Sequence, residues 1–180
     1  MGIPTLLSET STGQALVMNI TANIDSTYDE YMFVLVDIGI TDDSYEIVFN
    51  ASIDGGSNYN VDKTTTHWYA SHNENDGETQ FQYATGWDVV GTGNHTLTGQ
   101  QGAGADESAS GIIHLYSPAN TTYVKHFTSR IQVSNYTPRA NDHFTSGYFN
   151  TTSAIDAVSF LTTRLGNSYL DGTIQLYGIS

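Results

Sequence analysis

The sequence predicts an all-β chain, its strands arranged as an antiparallel β-sandwich or barrel. Three observations carry this. About ten runs rich in β-branched and aromatic residues recur along the chain, separated by Gly, Pro, Asn, Asp and Ser clusters roughly every eight to fifteen residues. No run sustains an apolar period of 3.6. No helical pattern alternates with the strands, so the logic of a parallel sheet is missing.

Taken in order, residues 1–14 read as an extended N-terminal arm. Ile3, Leu6 and Leu7 are apolar anchors set among Pro4, Gly13 and a Ser/Thr run that breaks any period. Such an arm docks on a neighbouring subunit or lies as a strand along its own domain, and the sequence leaves both open. Residues 15–180 read as one domain, since a chain of 180 residues is most simply that. Leu16, Met18 and Ile20 alternate in a first strand over Ala15 to Ile24, which Asp25-Ser26 turns.

Tyr31 to Asn60 carries the clearest signal. Tyr31 to Ile40 is almost unbroken apolar, with Asp37 its only charge, and suits a strand buried on both faces. Thr41-Asp42-Asp43-Ser44 is turn chemistry. Tyr45, Ile47, Phe49, Ala51 and Ile53 then alternate with polar neighbours, the mark of a strand with one face in the core. Asp54-Gly55-Gly56 ends it. The expectation is a long β-hairpin.

Further on, His67 to His72 and Phe81 to Ala84 read as short strands around the turn Asn73 to Glu78. Residues 91–110, with five glycines, read as a long functional or mobile loop. Strands follow at Gly111 to Ser117, Tyr123 to Asn135, Phe144 to Thr152, Ala157 to Leu165 and Gly172 to Ile179. Gly111 to Tyr116 and Gly172 to Tyr177 share the pattern G-x-I-x-L-Y, which marks either related places in two facing sheets or a chance match, six residues being too few for a duplication.

Charge narrows the function classes. The net charge is −14, with only five Lys and Arg. No basic patch can be assembled, so neither nucleic acid nor an anionic membrane surface is an expected partner. With no cysteine, disulfides and thiolate catalysis are excluded. MGIPTLLSETSTGQ lacks the basic and apolar regions of a secretion signal, and no run has the length of a membrane helix.

Candidate sites are few. Asp42, Asp43 and Asp54 read as turn residues, not as the facing carboxyls of a glycosidase. Asp54 to Asp62 offers oxygens at alternate positions, as calcium loops do, but without the EF-hand glycine and glutamate, so no metal or other cofactor is expected. His67 and His72, five apart, fall on opposite faces of one strand, which argues against a shared zinc ion. His114 and His126 are placed to pair across a hairpin. No G-x-S-x-G or phosphate-cradling loop is present, and no enzyme activity is expected. Trp68, Tyr69, Tyr83 and Trp87 cluster in sequence and serve either as packing or as a stacking surface for glycans.

Two stretches resemble a jelly-roll module that recurs in structural proteins of tailed bacteriophages. In that family an apolar strand passes through a short acidic turn to a strand ending in D-G-G, and the chain closes on G-T-I-x-L-Y-G-I. Here these are Tyr31 to Gly56 and Gly172 to Ile179. The resemblance implies a jelly-roll β-sandwich that forms a homotrimer. It also implies a virion part: a head decoration (cement) protein bound to the major capsid protein on the capsid exterior, or a tail-fibre or receptor-binding head domain contacting host glycans. The protein would be made in the host cytoplasm. The absence of a coiled coil or repetitive shaft favours decoration over fibre.

Overall fold

The computed structural model describes residues 2–164 and 166–180. It is an all-β sandwich of two antiparallel sheets. The large sheet has the order β1 (Thr5–Ala15), β13 (Leu170–Ile179), β3 (Glu30–Ile40), β9 (Ala109–Tyr116), β10 (Lys125–Asn135), β11 (Arg139–Phe149), β5 (Lys63–Asn73), β6 (Thr79–Tyr83), with β7 (Val90–Gly91) also on β5. The small sheet has the order β2 (Val17–Ile20), β12 (Ala157–Thr162), β4 (Ile47–Ser52), β8 (His95–Thr96). The strand expected to run to Leu165 ends at Thr162, and Leu165 itself, like Met1, lies outside the described residues.

Aromatic rings join the sheets. Phe49 on β4 meets Phe127 of β10 edge-on at 5.1 Å and Phe149 of β11 at 6.1 Å, while Phe160 on β12 meets Phe33 of β3 at 5.9 Å. These rings are fully desolvated, and each contributes roughly 2–3 kcal/mol by burial.

The expected hairpin does not form. Both edges of β3 are occupied by strands distant in sequence, β13 and β9, so β4 has no edge to pair with and crosses to the other sheet between β12 and β8. The turn at Thr41 to Ser44 is therefore a corner between sheets. The burial expectations also invert. In β3, Tyr31, Phe33 and Leu35 point inward while Met32 and Val34 are only half-buried. Every residue of β4 is buried, Asn50 and Ser52 included. Asn50 donates from Nδ2 to the Thr92 carbonyl at 3.0 Å, so a loop covers the outer face of β4.

Asp37 marks an irregularity. Its φ is +50°, Gly172 opposite has φ +105°, and both neighbouring ladders shift register there. A Cβ on Gly172 would strike the Asp37 carbonyl, so glycine is required by conformation and by space. The two G-x-I-x-L-Y strands do not face each other across the sandwich. They flank β3 in one sheet, with Ile113 and Leu176 on either side of Phe33.

Most of the expected arm is an edge strand. Residues 5–15 pair with β13, and a register shift between Leu6 and Ser8 turns Leu7 against the core. Leu6 stays half-exposed, and Ile3, ahead of the strand, is 86% exposed. Eleven residues of backbone gain ladder bonds this way, which a free arm would forgo.

Candidate functional site

The large sheet extends well past the small one. Its inner face is there covered by residues 85–101, an irregular segment whose strands β7 and β8 are only two residues long each. An irregular segment lying on a sheet must have its backbone polar groups satisfied. Polar side chains on the inner phase of β5, β10 and β11 do this. Thr65 Oγ1 accepts from the Val89 N–H at 2.8 Å, His143 Nε2 from the Gly99 N–H at 2.9 Å, and Lys63 Nζ donates to the Gly93 carbonyl at 2.6 Å. The stretch read as a free loop is thus pinned, and His95 to Gly99 are buried.

Three histidines form the centre of this layer. His67, His95 and His143 each show 0% exposure. Because His143 Nε2 accepts from Gly99, its proton sits on Nδ1, which donates to His67 Nε2 at 2.9 Å. His67 then carries its proton on Nδ1, facing Thr145 Oγ1 at 3.3 Å, and the Thr145 hydroxyl donates to His95 Nε2 at 3.1 Å. The chain of donors ends at His95 Nδ1, which has no partner among the described residues. Trp87 roofs the pair, 5.0 Å from His67 and 5.5 Å from His143. Burial holds all three rings neutral, lowering His67 to about 4 and His95 and His143 to about 3. The nitrogens hydrogen-bond one another or the protein in series; no cluster of metal-ligating residues converges among the described residues.

Two lysines sit in the same layer, in one row across three strands. Lys125 lies opposite Phe149, and Phe149 opposite Lys63. Both lysines are buried, at 1% exposure for Lys63 and 0% for Lys125, and among the described residues neither ammonium has a carboxylate hydrogen-bond partner. Lys125 donates to the carbonyls of Tyr123 at 3.0 Å and Thr151 at 3.2 Å. Desolvation lowers Lys63 to about 8, with Asp62 opposing.

The outer face of the same strands is open. Residues adjacent to the histidines point out, since side chains alternate. Phe144 stacks on Trp68, ring centroids 5.7 Å apart and planes within 3°, and the Arg130 guanidinium lies over its other side at 5.1 Å. Arg130 donates bidentately to Asp142, from Nη2 to Oδ2 at 2.7 Å and from Nε to Oδ1 at 3.2 Å. Tyr83 lies opposite Trp68 in register and donates to Asp88. The four aromatics grouped by sequence therefore divide: Trp68 and Tyr83 share the outer phase, while Tyr69 stacks on His143 and Trp87 covers the histidines.

The other expected sites are placed as follows. His67 is inside and His72 exposed, on opposite faces. His114 does not pair with His126: it bonds Glu30, and His126 packs on Tyr148. Asp54 accepts from the Asn58 backbone and side chain and from Ser52, so its oxygens cap a turn. The three arginines are all engaged internally, Arg130 with Asp142, Arg139 with Glu78 and Arg164 with Asp42. No described helix is long and apolar enough to cross a membrane. No family model, curated protein or solved structure matches this chain.

Proposed function

We propose that this chain is a virion structural protein of a tailed bacteriophage: a jelly roll that forms a homotrimer, decorates the outer head surface and stabilises the shell by binding the major capsid protein. One observation carries the reading. The order β1-β13-β3-β9 facing β2-β12-β4-β8 is the strand order that two nested Greek keys produce, an architecture used by viral capsid and lectin domains. The two stretches that resemble the phage module, Tyr31 to Gly56 and Gly172 to Ile179, supply β3, β4 and β13, and β3 and β13 are direct neighbours. Further strands, β10, β11, β5 and β6, widen the large sheet beyond this core.

The protein acts by binding and not by chemistry. Shell stabilisation follows from linkage: a ligand that binds only the assembled shell shifts the equilibrium toward assembly. The contact to the capsid is assigned to Ile3 and Leu6, exposed at the free edge of the large sheet. Residues 5–15 are integral to the fold, so the test is a substitution and not a deletion. Ile3→Asp/Leu6→Asp should fold normally and lose co-sedimentation with emptied capsids. Retained attachment overturns the assignment.

A second reading, a tail-fibre or receptor-binding head domain, draws support from Phe81, 77% exposed, and Tyr83, 51% exposed, at the opposite edge. With Trp68, which lies opposite Tyr83, they make one contiguous open apolar patch, the kind of surface that marks a contact site.

A further inference from the structure

The outer face of the large sheet is not flat. Three hollows of 530, 290 and 510 Å³ lie along β10. The first and second share Thr128, and the second and third share His126. They form one trough. Its floor follows β10 from His126 to Gln132, a length of about 20 Å at strand rise.

We propose that this trough binds a linear, neutral oligosaccharide. The chemistry of the lining selects the class. Carbon surface makes up most of the lining, with Tyr116, Tyr123 and Tyr148 offering apolar faces for sugar C–H groups, and the hydroxyls of Thr128, Ser146 and Thr66 set among them donate and accept as sugar hydroxyls require. The one Arg, Arg130, is neutralised bidentately by Asp142 within the trough, so no unpaired cation awaits an anion. A net charge of −14 repels polyanions from the whole molecule. Tyrosines rim the far end: Tyr116, its hydroxyl 3.3 Å from Thr128, and Tyr123, 70% exposed.

Tyr123 is exposed but not loose. Its backbone N–H and that of Thr122 both donate to Asn120 Oδ1, at 2.9 and 2.7 Å, and its carbonyl accepts from buried Lys125. The same ammonium holds the Thr151 carbonyl, beside Thr152 on the opposite lip. Lys125 thus clamps both lips of the hollow from beneath. An aromatic anchor whose backbone is fixed before binding has less entropy to lose on contact.

The inference is independent of where the protein sits on the virion. The trough lies four strands from β1, about 19 Å at sheet spacing, so it does not use the edge assigned to capsid contact. It also differs from the Trp68 to Trp87 region, which it borders through Arg130, Asp142, Thr66 and Ser146.

The test is titration of the isotope-labelled full chain with neutral hexasaccharides of glucose, mannose, galactose and xylose, followed by amide chemical shifts. The expected result is saturable binding of at least one, with Kd below about 1 mM, and shifts confined to β9, β10, the Asn120 to Lys125 loop and the lining stretches Thr64 to Thr66 and Ser146 to Tyr148. Thr128→Arg, which fills the middle of the trough, should weaken it at least tenfold, while Phe81→Ala at the far edge leaves it unchanged. Absence of binding to all four sugars overturns the proposal. So do shifts that map to Trp68, Tyr83 and Trp87, or self-association that buries Tyr123 and is abolished by Thr128→Arg, which would give the trough to a second copy. None of these outcomes bears on capsid attachment.

Discussion

His143 donates from Nδ1 to Nε2 of His67 at 2.9 Å, on adjacent strands and away from solvent. Protonating His67 removes the Nε2 acceptor of this bond, and protonating His143 removes the Nε2 acceptor of the Gly99 N–H. Folded values of about 3 to 4, for these two rings and His95, lie below the 6.5 of an unperturbed histidine. Below pH 6.5 the unfolded chain therefore binds more protons than the folded one. The stabilisation is complete above that pH and is lost as pH falls toward 4, at about 2 kcal/mol per ring by pH 5. Of the charges near the rings, Lys63 opposes protonation of His95 and Asp88 favours that of His67. Urea unfolding between pH 7 and 5 should show this slope, and His143→Gln should reduce it by about a third. An unchanged slope in the variant contradicts the account.

Lys63 has the opposite signature at high pH. Its folded value of about 8 is below the ordinary 10.5, so the unfolded chain holds the extra proton between those values. Stability should rise from pH 8 to 10 by about 2 kcal/mol, and Lys63→Met should abolish the rise. Parallel curves for the two proteins would show that the ammonium is not paying a burial cost.

Gly172 faces Asp37 where both residues have positive φ. Gly172→Ala should cost about 2 kcal/mol or more, from backbone strain together with contact on the Asp37 carbonyl. A variant that melts with the wild type would mean that the bulge relaxes freely.

The placement of strands was legible in the sequence; their partners were not. Period-two patterning locates β10, β12 and β13 to within a few residues. Nothing local reveals that both edges of β3 are claimed by strands from the far end of the chain, so adjacency suggested a hairpin. Asp37, the one charge in an apolar run, and Gly172, the expected start of the last strand, were visible but become meaningful only once opposed. The histidine layer was illegible for a related reason. His67, His95 and His143 belong to three separate segments, and the alternation on β5 and β11 puts Trp68 and Phe144 outside. Such an inverted pattern makes sense only if a pinned segment, not a strand, covers the inner face. The tyrosine rim of the trough was hidden likewise, because Tyr116 and Tyr123 read as strand residues and not as the walls of a hollow.

Ile3 and Leu6 separate folding from attachment. Exposed positions of this kind change stability by about 0.5 kcal/mol or less on substitution. Ile3→Asp/Leu6→Asp should therefore unfold at the wild-type denaturant midpoint. A large loss of stability would mark these side chains as part of the fold and remove them from the capsid contact.

The most direct test of the central claim is cryo-electron microscopy of intact particles, asking where this chain's density sits. The account predicts trimers on the icosahedral lattice, at threefold or quasi-threefold joints, with the edge bearing Ile3 and Leu6 toward the shell. Density confined to the tail would contradict it.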